Sequence, residues 1–282
     1  MFRKLFFALA MVLSLSNTTV LAQSTQVSNG LSYLASSQKP DGTWGDEVSS
    51  TSVIQTTTVV VDSLQYLTQT NSPAYQSGSA WLQAQTVETT DYLSERTVGL
   101  NSNNGDIATL LSYLNSPDYS WGGYDDYVSN NLDTALAVLA FKKTGTDSQI
   151  QISNIIGYLV SQQNQDGGFG LFVGDGSKVY VTAIVLKTLS QYQSQYNLQT
   201  VITSAADFLI SKQNTDGGFG SSPSSVFETA FALSALLDSG KTTNQSLINA
   251  TTYLTSNQQA NGSWNDNAYD TALSVKALAM LK

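Results

Sequence analysis

One stretch of this chain, Ser161-Gln162-Gln163-Asn164-Gln165-Asp166-Gly167-Gly168-Phe169-Gly170, returns almost unchanged as Ser211-Lys212-Gln213-Asn214-Thr215-Asp216-Gly217-Gly218-Phe219-Gly220. Looser copies stand at 38–45 and 258–265, and a degraded one at 115–122. Copies about 45–50 residues apart mark a repeat architecture, in which each unit buries its apolar face only against its neighbours. This repeat says much about the fold and little about chemistry.

Between the loops the apolar residues recur at helical spacing. Leu132, Ala135, Leu136, Leu139 and Ala140 follow the i, i+3, i+4, i+7 pattern, and 150–159 does the same. The pattern predicts helices at 26–37 and 53–69, 74–85 and 91–101, 106–115 and 131–144, 149–163 and 178–193, 200–213 and 226–239, and 246–258 and 269–281. No segment sustains a two-residue alternation, so the expected class is all-α. The second member of each pair carries a threonine, Thr56, Thr97, Thr134, Thr182, Thr229 or Thr271, followed by small or apolar residues. Such helices suit the crowded inside of a ring, and the first members, with one polar face, suit the outside. Six hairpins of this kind close into an α6/α6 toroid.

Composition removes whole classes of chemistry. Neither cysteine nor histidine occurs, so disulfides, thiolate metal sites, cysteine nucleophiles and the commonest general base are all unavailable. We expect no metal and no cofactor. Arg3 and Lys4, the apolar run 5–15 and Val20-Leu21-Ala22 read as a secretory signal peptide cut after Ala22. Its loss removes two basic side chains and no acid, moving the net charge from −9 to −11. Residues 23–282 are then expected to form one secreted toroid domain of six repeats. An acidic chain without a basic cluster offers no footprint for nucleic acid, and no later segment is apolar enough to span a membrane. The triplets at Asn244, Asn249 and Asn261 are formal glycan acceptors.

The loop motif has a structural explanation that needs no ligand. Its glycines allow positive φ, its aspartate accepts backbone N–H groups, its aromatic plugs between hairpins, and its glutamine ties neighbouring loops together. A phosphate cradle would need a following Gly-Lys-Ser/Thr, which is missing.

The motif Gln-x-x-Asp-Gly-Gly/Ser-Phe/Trp-Gly resembles the prenyltransferase and squalene-cyclase repeat of the terpenoid cyclase/protein prenyltransferase α/α toroids. The resemblance spans nearly all of 23–282 and implies a toroid whose central cavity opens where the inner helices begin. It does not imply one chemistry. Squalene and hopene cyclases protonate substrate with the middle acid of Asp-x-Asp-Asp-Thr-Ala. The matching segment here is Asn130-Asn131-Leu132-Asp133-Thr134-Ala135, with Leu132 at the acid's place. Zinc-dependent prenyl transfer and thioester formation need Cys or His. What remains is a toroid that binds a small molecule, a polysaccharide or a protein without catalysis. The alternatives are a toroid enzyme acting on polysaccharide or a divergent terpenoid cyclase.

Two groups are candidate ligand residues at the cavity mouth. Gln55, Arg96, Asp133, Glu228 and Asp270 each precede a threonine of the shared column, where carboxylates and an arginine in a ring suit a sugar, a cation or acid–base work. The plainer reading of these acids is a favourable interaction with helix N-termini. Trp121, Asp125 and Asp126 share a loop whose aromatics and adjacent carboxylates suit carbohydrate or a loosely held Ca²⁺.

Overall fold

A computed structural model describes residues 24–45, 52–102, 105–116, 118–241 and 245–281. The expected signal peptide and the acceptor Asn244 lie outside the described residues. Small polar residues set the helix starts. Ser24, Ser52, Ser72, Thr89, Asn130, Ser225 and Asn267 are N-caps whose side chains accept a backbone N–H of the first turn. Twelve α-helices follow among the described residues: α1 Thr25–Ser36, α2 Val53–Tyr66, α3 Pro73–Gln83, α4 Thr90–Leu100, α5 Asp106–Ser112, α6 Asn131–Thr144, α7 Ile152–Ser161, α8 Val179–Ser190, α9 Gln199–Ser211, α10 Val226–Asp238, α11 Gln245–Ser256 and α12 Ala268–Ala279. The described residues form no strand, and none of their helices is long and apolar enough to cross a membrane.

The even-numbered helices form the inner ring. Each packs on the next, and α12 packs back on α2, closing the circle. Each odd helix packs mainly on the inner helix that precedes it, so α3 covers α2, α5 covers α4, and α1 covers α12. The hairpin that packs together is therefore inner-then-outer, one step out of phase with the outer-then-inner pairs read from the sequence. The first helix of the described chain seals onto the last.

The repeated loop is the clip that holds this arrangement. Gln163 Nε2 donates to Gly167 O of its own loop and to Val201 O of α9, both at 2.9 Å. Gln38 reaches Ala74, Gln213 reaches Ser246, and Gln258 reaches Gln26 across the closing seam. Asp166 accepts from Gly168 N and Ser177 Oγ, and Asp216 does the same with Gly218 and Ser224. Gly167 and Gly217 sit at φ +86° and +87°, and a Cβ there would stand 2.5 and 2.7 Å from the backbone oxygens of Ser204 and Asn249. Only glycine lets the loop lie so close to the next outer helix.

The aromatics Trp44, Trp121, Phe169, Phe219 and Trp264 are all fully buried. Their backbone N–H groups donate to Thr57, Thr134, Thr182, Thr229 and Thr271 at 2.9–3.1 Å. The tryptophans also donate Nε1 to an outer-helix carbonyl, that of Leu34, Leu110 or Leu254. The threonine column thus satisfies a buried donor that would otherwise be stranded at a cost of about 1–3 kcal/mol. Two members of the expected column are corrected here. In α2 the acceptor is Thr57 rather than Thr56. In α4, Thr97 lies about two turns past the N-cap Thr89, one turn deeper than its supposed equivalents stand from theirs.

Candidate functional site

The inner ring encloses a cavity whose space open to the centres of water molecules is about 90 Å³. That is room for several waters at roughly 10–15 Å³ each. All six inner helices contribute to its wall, which is mainly apolar. Helical spacing arranges the lining in layers. Val59, Glu95, Leu136, Ile184, Phe231 and Leu273 form one, and Asp62, Val98, Leu139, Lys187, Ser234 and Lys276 form the next, one turn nearer the helix C-termini. One turn above the first, the same stripe runs through Gln55, Asp91, Leu132, Tyr180, Phe227 and Tyr269. Tyr180, Phe227, Phe231 and Tyr269 touch one another there, with ring centres 4.9–6.0 Å apart.

Two kinds of charge occupy this apolar space. Glu95 keeps some accessible surface because it lines the cavity, yet its Oε2 is a buried atom with no hydrogen-bond partner. Burial, reinforced by the nearby Asp91, Asp62 and Asp133 carboxylates, pushes its carboxyl up to about 8, so Glu95 is a neutral acid at pH 7. In the lower layer Lys276 on α12 pairs with Asp62 on α2 across the seam where the ring closes. Lys187, on α8, makes no hydrogen bond or ion pair with any described residue. Burial and then the Lys276 charge hold its ammonium below the ordinary lysine range.

The residues singled out in the sequence scatter around this cavity. Gln55 falls on the inward stripe, because the register of α2 is shifted by one. Asp133, Glu228 and Asp270 stand one residue past that stripe, about 100° around the helix. Each is at the third helical position and bonded to cap chemistry. Asn130 accepts from Asp133 N at 2.8 Å and donates to its carboxylate. Ser225 Oγ accepts from Glu228 N at 3.1 Å and donates to the Glu228 carboxylate, and Asp270 accepts from Asn265 Nδ2 at 2.8 Å. Burial, offset by the Asn130 bond and reinforced by Asp91, raises Asp133 to about 6, and burial also raises Asp270.

Arg96 is not at the mouth. It is buried in a two-pronged pair with Asp106, 2.5 and 2.8 Å, and also donates to Leu82 O and Gln85 O. It fastens the end of α3 and the start of α5 to α4, in the repeat that lacks a loop clip. Trp121 is likewise structural, sealed under the loop against Phe141. Asp125 and Asp126 are exposed on the 122–129 loop, and the described residues hold no group of three or more acidic side chains placed to bind a metal. Sequence reasoning missed Glu95, Lys187, Asp62 and Lys276. Their signal was a charge at the inward spacing of an otherwise small and apolar inner helix.

Comparison with known families decides the kinship. The squalene-hopene cyclase C-terminal domain model matches residues 126–279, over half of the chain. The chain belongs to the squalene-hopene cyclase C-terminal domain family. A second model, the prenyltransferase alpha-alpha toroid domain, matches residues 2–97. No curated protein matches this sequence. Among solved structures, a variant of the type II terpene cyclase MstE from Scytonema, in complex with geranylgeranyl dihydroxybenzoate, aligns with TM-score 0.71 at 14% identity, over 91% of this chain and 96% of that one. The GH76A α-1,6-mannanase from Salegentibacter sp. aligns with TM-score 0.71 at 9% identity, over 91% and 99%. The ent-copalyl diphosphate synthase from Streptomyces platensis gives TM-score 0.60 at 16% identity, over 81% of this chain and 50% of that one. These likenesses are of fold. Within the squalene-hopene cyclase family this chain departs at Leu132, one turn before the cavity-lining Leu136 and so on the inward face.

Proposed function

We propose that this protein is a non-catalytic binding module, exported after loss of residues 1–22, that takes a small apolar molecule into the centre of its toroid. The observation that carries the reading is the central cavity itself, walled by side chains from all six inner helices and mainly apolar. A polar substrate such as a sugar would leave its hydroxyls unpaired against Leu136, Ile184, Phe231 and Leu273. Cyclisation of an alkene needs a strong proton donor on the axis. Leu132 has no proton to give, and raising Glu95 from 4.5 to about 8 weakens it as a donor by roughly 5 kcal/mol. No histidine exists to strengthen it.

A carbohydrate-active reading keeps one supporting observation: Asp133 is raised to about 6, chiefly by burial and further by the charge of Asp91. It loses Arg96, which is occupied by Asp106.

The test is calorimetric titration of the chain with linear and isoprenoid alcohols, alongside product analysis with isoprenoids and polysaccharides. We expect saturable binding of an alcohol, abolished in Leu136→Trp, which fills the cavity, and no product. Turnover of any substrate that disappears in Asp133→Asn would replace the binding reading with an enzymatic one.

A further inference from the structure

The lower layer of the cavity holds two ammonium groups, and only one of them is bonded. Lys276 is matched by Asp62. Lys187 projects from α8 into the same space and has no bonded partner among the described residues, and Leu139, Val98 and Ile184 line that space with apolar surface. Two further charges face this layer from behind. Asp238 closes α10, and the positive charges that act on it are those of Lys187 and then Lys276, while Lys143 stands exposed in the last turn of α6. Glu95, one layer up, is neutral at pH 7. Asp238 balances the charge of Lys187 from a distance but is not bonded to it, so the ammonium keeps its hydrogen bonds to give.

Lysines near helix C-termini are favourable in their own right, because the helix dipole is negative there. That accounts for Lys143, which is exposed, and favours Lys187 in the last turn of α8, but it does not account for turning the Lys187 ammonium into a mainly apolar cavity. An ammonium with no hydrogen-bond partner in mainly apolar surroundings is costly, and an anion that bonds to it relieves that cost.

We propose that Lys187, backed by the Lys276–Asp62 pair, seats the carboxylate of a single-chain monocarboxylic acid whose hydrocarbon tail rises between Leu136, Ile184, Phe231 and Leu273. One unbonded ammonium matches one carboxylate and leaves the further charges of a diphosphate unmatched. The tail ends beside the aromatic group of Tyr180, Phe227 and Tyr269 and the uncharged Glu95, none of which repels hydrocarbon as a carboxylate would. The lowered affinity of Lys187 for its proton fits an ammonium waiting for a counter-ion. Rising pH removes that proton and weakens the seat, while Asp62, Asp238, Lys276 and Lys143 set where this occurs. The inference rests on the apolar-ligand reading of the cavity, and the experiment separates the two.

The measurement is calorimetric titration of the full chain at pH 7 with decanoate and with 1-decanol, repeated on Lys187→Met and Lys187→Arg. Decanoate should bind at least ten-fold more tightly than decanol to the native chain. Lys187→Met should erase that preference by weakening decanoate more than decanol, and Lys187→Arg should keep part of it. Equal binding of acid and alcohol by the native chain would overturn the carboxylate seat and leave the apolar cavity reading standing. A preference that survives in Lys187→Met would overturn the seat in the same way. Binding of neither compound would overturn both. The native comparison stands whether or not a variant folds.

Discussion

Glu95 and Asp133 lie on adjacent inner helices, and both are held protonated above their ordinary range, chiefly by burial. For Glu95 the consequence for stability has a definite sign. The unfolded chain releases this proton near 4.5 and the folded chain keeps it to about 8. The contribution is therefore full below 4.5, falls as pH rises, and is gone above about 8. At pH 7 keeping Glu95 protonated costs up to about 3 kcal/mol. Glu95→Gln should raise stability by an amount of that order at pH 7 and flatten the fall between pH 4.5 and 8, read by urea unfolding across that range. A variant as pH-sensitive as the native chain would mean that Glu95 is ionised and hydrated. None of this is visible in the residue order. The acids that stand out there, Asp133, Glu228 and Asp270, precede a shared threonine, and that alignment marks the capped helix start, not the inward face. The inward face lies one residue earlier, and a single position turns a side chain by about 100°.

Helix starts are legible in the sequence because capping is local: Ser52, Asn130, Ser225 and Asn267 bond to backbone within three residues of themselves. Helix ends are less so. The expected 53–69 stops at Tyr66, where Leu67 caps and Thr68 turns to φ +58°, and the expected 106–115 stops at Ser112. The loop motif reads as structural from sequence and is structural in the fold, since its glutamine, aspartate and aromatic positions each have a local or next-door partner. Its glycines give a paired prediction. Gly217→Ala places a Cβ at positive φ and 2.7 Å from Asn249 O, and should destabilise by about 2–4 kcal/mol. Gly157→Ala, inside α7 with open space around the new methyl, should stabilise by about 0.5–1 kcal/mol. Thermal melts of the two variants check both signs, and equal effects would show that the loop relaxes freely.

At the scale of the whole molecule the ring is closed by contacts between its two ends. α1 covers α12 through Val27, Gly30 and Leu34, Gln258 bonds to Gln26, Ser63 donates to Ala272 O, and Lys276 meets Asp62 inside. A chain lacking residues 24–36 should lose its single cooperative melt, because α12 then has no outer partner and the seam opens; an unchanged two-state transition in circular dichroism would show that the remaining helices close without it. The sequence by itself determined the helical class, the number of repeats and the role of the loop, because periodicity, caps and turns act between residues close in the chain or between equivalent residues of neighbouring repeats. Only the tertiary structure decided the phase of the hairpins, the one-residue shift in α2, the withdrawal of Arg96 to Asp106, and the gathering of Glu95, Asp62, Lys187 and Lys276 around one cavity. Each of those four comes from a different inner helix, α4, α2, α8 and α12 in turn. Charges so far apart in the chain become neighbours only when closure of the ring fixes the rotation of every inner helix about its own axis.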